Sequence, residues 1–506
     1  MVRNMLRVFS LSLCGLCLLA TAARAEWLEA SSDHFVIYGS EREKALTEFA
    51  GRLERFDAAM GRVYGKERIK PSPSNRVTVF IVDDTAEVRA VTASKIRNLA
   101  GIYIPRAGTS VAVIPKLKGA SAATQFEMAG ETILYHEYAH HFMAGETQRA
   151  YPRWFGEGFA EFFAGARFKA NGDVELGRAP GHRALELAYG RKVPIRLLLD
   201  FDGGVGNAKA SYDSFYGQSW VLFHYLQMEP ERKGQSRKYR QLLAEGRSAL
   251  EAAEGAFGDL EKLDKDMDGY MKRRRLGVYV LPQDTLATGP VTVRKLRPAE
   301  AAMMPIAIES RVGVSREEAQ RLVPDARKVA AQYPDDPMVL AALAEAEFDA
   351  GNDDEAIAAA DRAVAIDPKQ VNAYLQKGYA LSRKLRDGKL PKEGWNDLRN
   401  QFLKANQIEN DHPIPLVQFY SSYLAQGEPP TKNAIDSVEW AMALAPFDRS
   451  LRWLVAQQMI SDKRFKDAAR TLAPLAYSPH PGEHTDKARE LLKDVEARMA
   501  GANEGS

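Results

Sequence analysis

The sequence predicts an α+β domain followed by an all-α stack of helical repeats. Three observations carry that expectation. Between residues 26 and 120, short β-branched runs alternate with a long amphipathic helical pattern. Next comes His136-Glu137-Tyr138-Ala139-His140, two histidines four residues apart in a helical segment. From about Ser315 the composition turns Ala/Leu/Asp-rich, in helices punctuated by Asp-Pro.

A chain of 506 residues with 45% apolar content is too long for one ordinary domain. Residues 1–25 read as a secretion signal. Arg3 and Arg7 form a charged start, Val8–Leu19 an apolar run, and Ala23-Arg24-Ala25 a cleavage site. The apolar run is too short to favour a spanning helix. Both cysteines, Cys14 and Cys17, lie inside it, with Leu13 and Leu16 where a lipidation site needs small residues. The expected mature chain is therefore cysteine-free, and no thiolate can hold a metal or act as nucleophile. That fits a bacterial periplasm or the cell exterior, with no stable membrane span once the signal is removed. Losing Arg3, Arg7 and Arg24 moves the formal charge from +2 to −1. No basic block points to nucleic acid. Lys272-Arg273-Arg274-Arg275 reads as a solvated helix end.

Residues 26–120 form the N-terminal α/β part. Phe35–Tyr38 is a strand, and Arg42–Tyr64 a helix with Phe49, Leu53, Phe56 and Met60 on one face. Val77–Val82 reads as a buried strand. Gly101–Pro105 and Ser110–Pro115 form a hairpin around Arg106–Thr109. The second of these strands precedes the two-histidine helix. It can be an edge that pairs with an extended peptide, or an ordinary edge with no ligand.

Residues 121–300 form the helical part. The metal helix is expected over 121–144 and the next over 154–166. A hairpin turns at Asn171-Gly172-Asp173. Phe215–Gln227 is a strongly apolar helix, and Gly277–Leu281 is strand-like. Asp264-Lys265-Asp266-Met267-Asp268-Gly269 imitates the start of a calcium loop, but its twelfth position is Arg275 instead of Glu, so calcium is rejected.

On a helix, residues i and i+4 share a face, so His136 and His140 can hold one metal ion. Glu157 follows in Trp154-Phe155-Gly156-Glu157-Gly158-Phe159-Ala160-Glu161. Two imidazoles and a carboxylate leave Zn2+ a fourth position for water, the pattern of a catalytic site. Glu137 stands where it can take a proton from that water. His141 points about 100° away round the helix and reads as structural.

HEYAH followed by PRWFGEGFAEFF resembles the gluzincin zinc metallopeptidases, and among them the peptidase-MA-like group. The motif covers residues 131–165, with weaker similarity from about 30 to 280. The resemblance implies a zincin-like fold, His136, His140 and Glu157 as zinc ligands, and Glu137 as general base. It gives Glu161, on the same helix face as Glu157, the role of accepting the outer N–H of the first histidine. Tyr216, in Tyr216-Gly217-Gln218, resembles the tyrosine that stabilises the tetrahedral intermediate in aminopeptidase-type gluzincins. Gln218 departs from the lysine of that pattern. Tyr212 is the reserve. His224 is a further donor candidate or a core histidine.

Asp336–Pro368 resembles a tetratricopeptide (TPR) repeat, with Leu340, Leu343, Ala344, Ala356, Ala363 and Pro368 on its apolar, small and proline positions. A second unit carries Tyr374, Gly378 and Tyr379. Arg386–Trp395 reads as an insertion. Ile414–Pro446 and Phe447–Pro479 are further units, and His484–Met499 a cap. The repeat region is set at 315–500, and such units stack into a solenoid.

The expectation is a secreted or periplasmic zinc peptidase acting on peptides or proteins, with the TPR repeats binding protein partners or substrates. The competing readings are a non-catalytic envelope scaffold with a structural metal domain, and a hydrolase of non-peptide bonds.

Overall fold

Alternation along Val77–Val82 explains how the α+β half is layered. In the computed structural model every residue of this strand is buried. Val77, Val79 and Ile81 join one apolar cluster, while Phe80 and Val82 join another on the opposite face. Successive side chains of a strand point to opposite faces, so a run buried throughout needs cover on both.

The structure describes residues 26–66, 68–92, 99–117, 130–146, 149–200, 213–478 and 483–504. The expected signal at 1–25, Tyr212, the Gly-rich stretch 203–210 and residues 121–129 of the expected metal helix lie outside them.

The strands are β1 Leu28–Ser31, β2 Phe35–Gly39, β3 Val77–Val82, β4 Ile102–Ile104, β5 Val111–Pro115, β6 Arg167–Phe168, β7 Val174–Leu176, β8 Tyr279–Leu281 and β9 Thr292–Lys295. The first seven helices are α1 Glu43–Tyr64, α2 Thr85–Val91, α3 Gly130–Glu146, α4 Arg153–Ala164, α5 Ala184–Tyr189, α6 Ile195–Leu199 and α7 Phe215–Met228. Among the described residues, one sheet runs β4-β5-β3-β2-β1-β9 and a smaller one β6-β7-β8. In the large sheet β2, β3 and β5 are parallel, and β4 pairs antiparallel with β5, Ile102 opposite Val113. The edge beside α3 is therefore β4, not the expected Ser110–Pro115 strand, which pairs on both sides. The other edge, β9, carries the polar sequence Thr-Val-Arg-Lys and was not expected from the sequence.

Leu46, Phe49, Leu53, Phe56 and Met60 of α1 cover one sheet face together with α3 and α4. The other face is closed by Val88 of α2 and by Met304 and Ile308 of a helix at Pro298–Val312. That helix crosses the expected gap between residues 300 and 315, and joins the sheet to the repeats.

From there, among the described residues, ten helices follow in sequence, from Arg316–Gln332 to Glu483–Glu504. Asp-Pro punctuation has a local cause: Asp336 accepts from Met338 N and Val339 N at 3.0 and 3.2 Å, capping the helix that Pro337 begins. Gly378 is required by packing, because a Cβ there would lie 2.4 Å from the Phe402 ring. The stack meets the α+β half again near its end. Ala107 N donates to Asp448 Oδ2 at 2.7 Å, and Ser74 N to Glu409 Oε1 at 2.9 Å. No helix among the described residues is long and apolar enough to cross a membrane.

Candidate metal centre

Helices α3 and α4 pack side by side, and their facing turns bring three donors together. His136 Nε2 and His140 Nε2 are 3.3 Å apart. Glu157 Oε2 lies 3.4 Å from each. Among the described residues these are the three side chains grouped so that they could hold a metal. Zinc bonds of ~2.0–2.1 Å set tetrahedral ligands about 3.3 Å apart, so the spacing matches one face of a zinc tetrahedron.

The electrostatics point the same way. Glu157 is fully buried, and neither of its oxygens has a hydrogen-bond partner. A carboxylate left so in a protein interior costs several kcal/mol unless a cation compensates it. Burial works against a charge on His136, but Glu157 and Glu161 outweigh it and hold its pKa above the ordinary value. Burial likewise opposes ionisation of Glu157, yet His140 and His136 draw its pKa well down. The donor set fits a divalent cation.

The scaffold around it is tight. Helix α4 is buried from Trp154 to Ala164. A Cβ on Gly158 would stand 2.4 Å from Ser219 O, so only glycine lets α4 approach α7 this closely. Tyr138, between the histidines, donates to Asp57 Oδ1 at 2.8 Å and ties α3 to α1.

Glu161 sits behind His136, its Oε1 3.4 Å from Nδ1, but its short bonds go elsewhere. His182 Nε2 meets Oε2 at 2.9 Å and Arg183 Nε donates to Oε1 at 2.8 Å. Burial raises its pKa, but His182, His136 and Arg183 prevail and bring it to about 2. The sequence reading did not single out His182 or Arg183. They lie on a one-turn segment, Gly181–Arg183, with no periodicity or motif to mark them.

Tyr216, at the start of α7, reaches this region too. Its hydroxyl accepts from Arg153 Nη2 at 3.0 Å, and the Arg183 guanidinium lies 4.4 Å from its ring centre. Burial and the Glu157 charge raise its pKa, so the phenol stays protonated. Gln218, where the sequence resemblance expects a lysine, bonds Val193 N at 2.6 Å and Val193 O at 3.0 Å, stapling a loop to α7. His224 has both ring nitrogens engaged, Nε2 with Gly277 O at 3.1 Å and Nδ1 with Tyr270 OH at 2.9 Å, and is a core histidine. His141 stacks on Tyr138 and lies 4.0 Å from the Phe447 ring, outside the donor triangle. Asp264 and Asp268 pair with Lys192, and Asp266 with Arg232 and Lys262.

Glu137 and His140 open onto a cleft of about 160 Å3. Tyr103 of β4 and Gly156 of α4 line it from the α+β half. Phe447 and Arg452 line it from the repeat stack.

Residues 337–380 match the tetratricopeptide-repeat family. The C-terminal part of this chain therefore carries TPR repeats. Solved structures resembling it include a thermophilic TPR protein of Thermus thermophilus, at 17% identity and TM-score 0.32, covering 39% of this chain and 99% of that one. Another is Pseudomonas aeruginosa PilF, at 14% identity and TM-score 0.29, covering 42% and 96%. A third is yeast Tom70, at 13% identity and TM-score 0.26, covering 56% and 61%. No curated protein matches the chain.

Proposed function

We propose that the α+β half is a zincin-like, zinc-dependent peptide hydrolase of the gluzincin kind, and that the TPR stack engages its protein substrates or partners. The observation that carries this reading is the triangle of His136, His140 and Glu157, spaced at 3.3–3.4 Å around an unsatisfied buried carboxylate. His136, His140 and Glu157 would hold the ion, and Glu161 would steady His136 from behind. Zinc, when bound, supplies Lewis acidity toward a carbonyl oxygen and acidifies a water. Glu137, on the cleft side of the same helix, takes the proton of the attacking water and returns it to the leaving amine. Tyr216, protonated and flanked by Arg153 and Arg183, donates to the oxyanion that develops at the carbonyl. Export to the periplasm or beyond belongs to the same proposal and rests on residues 1–25.

The family match favours a second reading, a TPR scaffold whose metal is structural. A general base opening onto a cleft favours the first, since a structural site has no use for one. Incubation of the protein with a mixed peptide library, with and without a chelator, separates them. Chelator-sensitive cleavage is expected. Cleavage that ignores the chelator sinks the zinc reading, and no cleavage at all leaves the scaffold.

A further inference from the structure

The turn between β4 and β5 reaches into the repeat stack, where the first helix of each successive helix pair meets it. Those first helices are Pro298–Val312, Pro337–Ala350, Val371–Arg386, Pro413–Gln426 and Arg449–Ser461. The first four pack on one another in that order and so form a continuous row.

Arg106 reaches furthest. Its Nη2 donates to Arg311 O, at the end of the first of these helices. Glu345 of the second helix, Tyr379 of the third and Asp448 ahead of the fifth act on its charge. Burial lowers its pKa, and these three groups oppose that loss. Its Nε donates within the turn, to Thr109 O at 3.1 Å, which fixes the direction of the guanidinium. Ala107 is 6% exposed and belongs to the apolar cluster of the later repeats, with Tyr420, Val438 and Leu451. Its N–H donates to Asp448 Oδ2 at 2.7 Å, while Asp448 Oδ1 accepts from Leu451 N at 2.8 Å. One carboxylate thus caps a repeat helix and holds the backbone of the turn. Gly108 has φ +73°, and a Cβ there would lie 2.4 Å from Ile414 Cγ1 of the fourth helix. Only glycine takes that backbone geometry so close to the stack. Three consecutive residues are therefore fitted to the repeats by charge, by small size and by the lack of a side chain. The segment before β3 docks beside them: Ser72 Oγ donates to Asp411 O at 3.0 Å, and Asn75 Nδ2 to Leu444 O at 3.4 Å.

We propose that this row of helices is a recognition surface for an Arg-Ala-Gly turn, that the chain's own β4–β5 turn occupies it, and that an outside protein engages it by presenting a like turn and displacing this one. The inference goes beyond the peptidase reading and needs neither zinc nor turnover. It narrows the partner reading of the repeats, because this face is filled from within the chain. A tethered segment competes at high effective concentration, so an outside ligand binds with its intrinsic affinity scaled down by the fraction of chains whose face is free.

The test is binding of a fluorescent cyclic peptide of residues 104–111 to the full chain, without added metal. Two variants change the turn and leave the face intact. Gly108→Val drives a side chain into Ile414, and Ala107→Glu sets a second carboxylate beside Asp448. Each should bind the ring at least about tenfold tighter than the parent, the gain expected when a face free in a tenth of the chains or fewer becomes free in nearly all. A ring carrying Arg106→Gln should lose most of that gain, as should Glu345→Gln added to either variant. Hydrogen exchange in residues 337–380 should match the parent, showing that the stack stands without the turn. Equal binding by parent and both variants overturns the proposal, as does a gain that the Arg106→Gln ring keeps. Loss of protection in 337–380 in both variants also overturns it, since the turn would then be a strut of the stack. None of these outcomes bears on chelator-sensitive cleavage, so the peptidase reading stands or falls separately.

Discussion

In the repeat stack, Glu347 is 2% exposed and takes Arg327 at 2.6 and 2.9 Å and Asn352 at 2.7 Å; in the α+β half, Glu157 is fully buried with no donor on either oxygen. Asp353, also in the stack, is held by Arg383 at 2.7 Å. These two buried acids are matched within the protein, as packing alone requires. At the α3–α4 contact Glu157 has only two histidines at 3.4 Å and no hydrogen bond, an arrangement that leaves room for a cation between the three side chains. The difference separates acids paired inside the fold from an acid left open to a cation.

The sharpest way to break that comparison is at Glu137. Glu137→Gln should lower cleavage about a thousandfold, within the range for losing a general base, with zinc content by elemental analysis unchanged. His136→Ala should lose the zinc as well. Full activity in the first variant, or full zinc in the second, would remove the functional side of the contrast.

Metal removal comes next. A ligand held at a thousand times its dissociation constant stabilises the fold by about 4 kcal/mol, and chelation should withdraw an effect of that order. The loss should be local. Hydrogen exchange should speed up in Gly130–Glu146 and Arg153–Ala164 and stay unchanged in the matched repeat at 337–380. Uniform deprotection of both would show that the halves share one stability.

How much of this was legible in the sequence follows from distance along the chain. That His136, His140 and Glu157 come together was readable because a helix repeats every 3.6 residues and the three lie on consecutive helices. The repeat at 337–380 was readable from its Asp336 cap and its small-residue positions. What stayed hidden is whatever joins remote segments. Strand β9 pairs with β1, Leu28 opposite Lys295, through a short polar run that carries no strand signal. Which strand of the hairpin forms the edge depended on β5 pairing with β3, a contact the hairpin itself does not encode. His182 and Arg183 reach Glu161 from the one-turn segment Gly181–Arg183, and Arg452 reaches the cleft from the helix Arg449–Ser461.

On the repeat side, Arg327→Ala should cost about 1–2 kcal/mol in urea unfolding, because it strips the main partner from buried Glu347. Arg327 is half exposed, so solvent and Asn352 soften the loss. Cleavage should not change. A variant that lost activity along with stability would mean that the first repeats and the metal site are coupled, and the two-region contrast would have to be redrawn.

Asp349 gives the smallest expected effect and the finest test, because it is the repeat-half acid that breaks the pattern. Burial and the neighbouring Glu345 push its pKa from 3.8 up to about 7, despite Arg383 and Arg106. Arg106 comes from the β4–β5 hairpin, so Asp349 reports on the junction between the halves. An acid with a raised folded pKa holds its proton more tightly in the folded state. Stability is therefore lost as pH rises from about 4 to about 7, and is level above that. Asparagine cannot ionise and escapes the penalty. Asp349→Asn should exceed the parent in stability by ~1–2 kcal/mol at pH 8, with a smaller gap at pH 5, in urea titrations at both values. A gap that is constant with pH, or reversed, would mean that Asp349 is matched after all, and the junction would then bury charge as the rest of the repeats do.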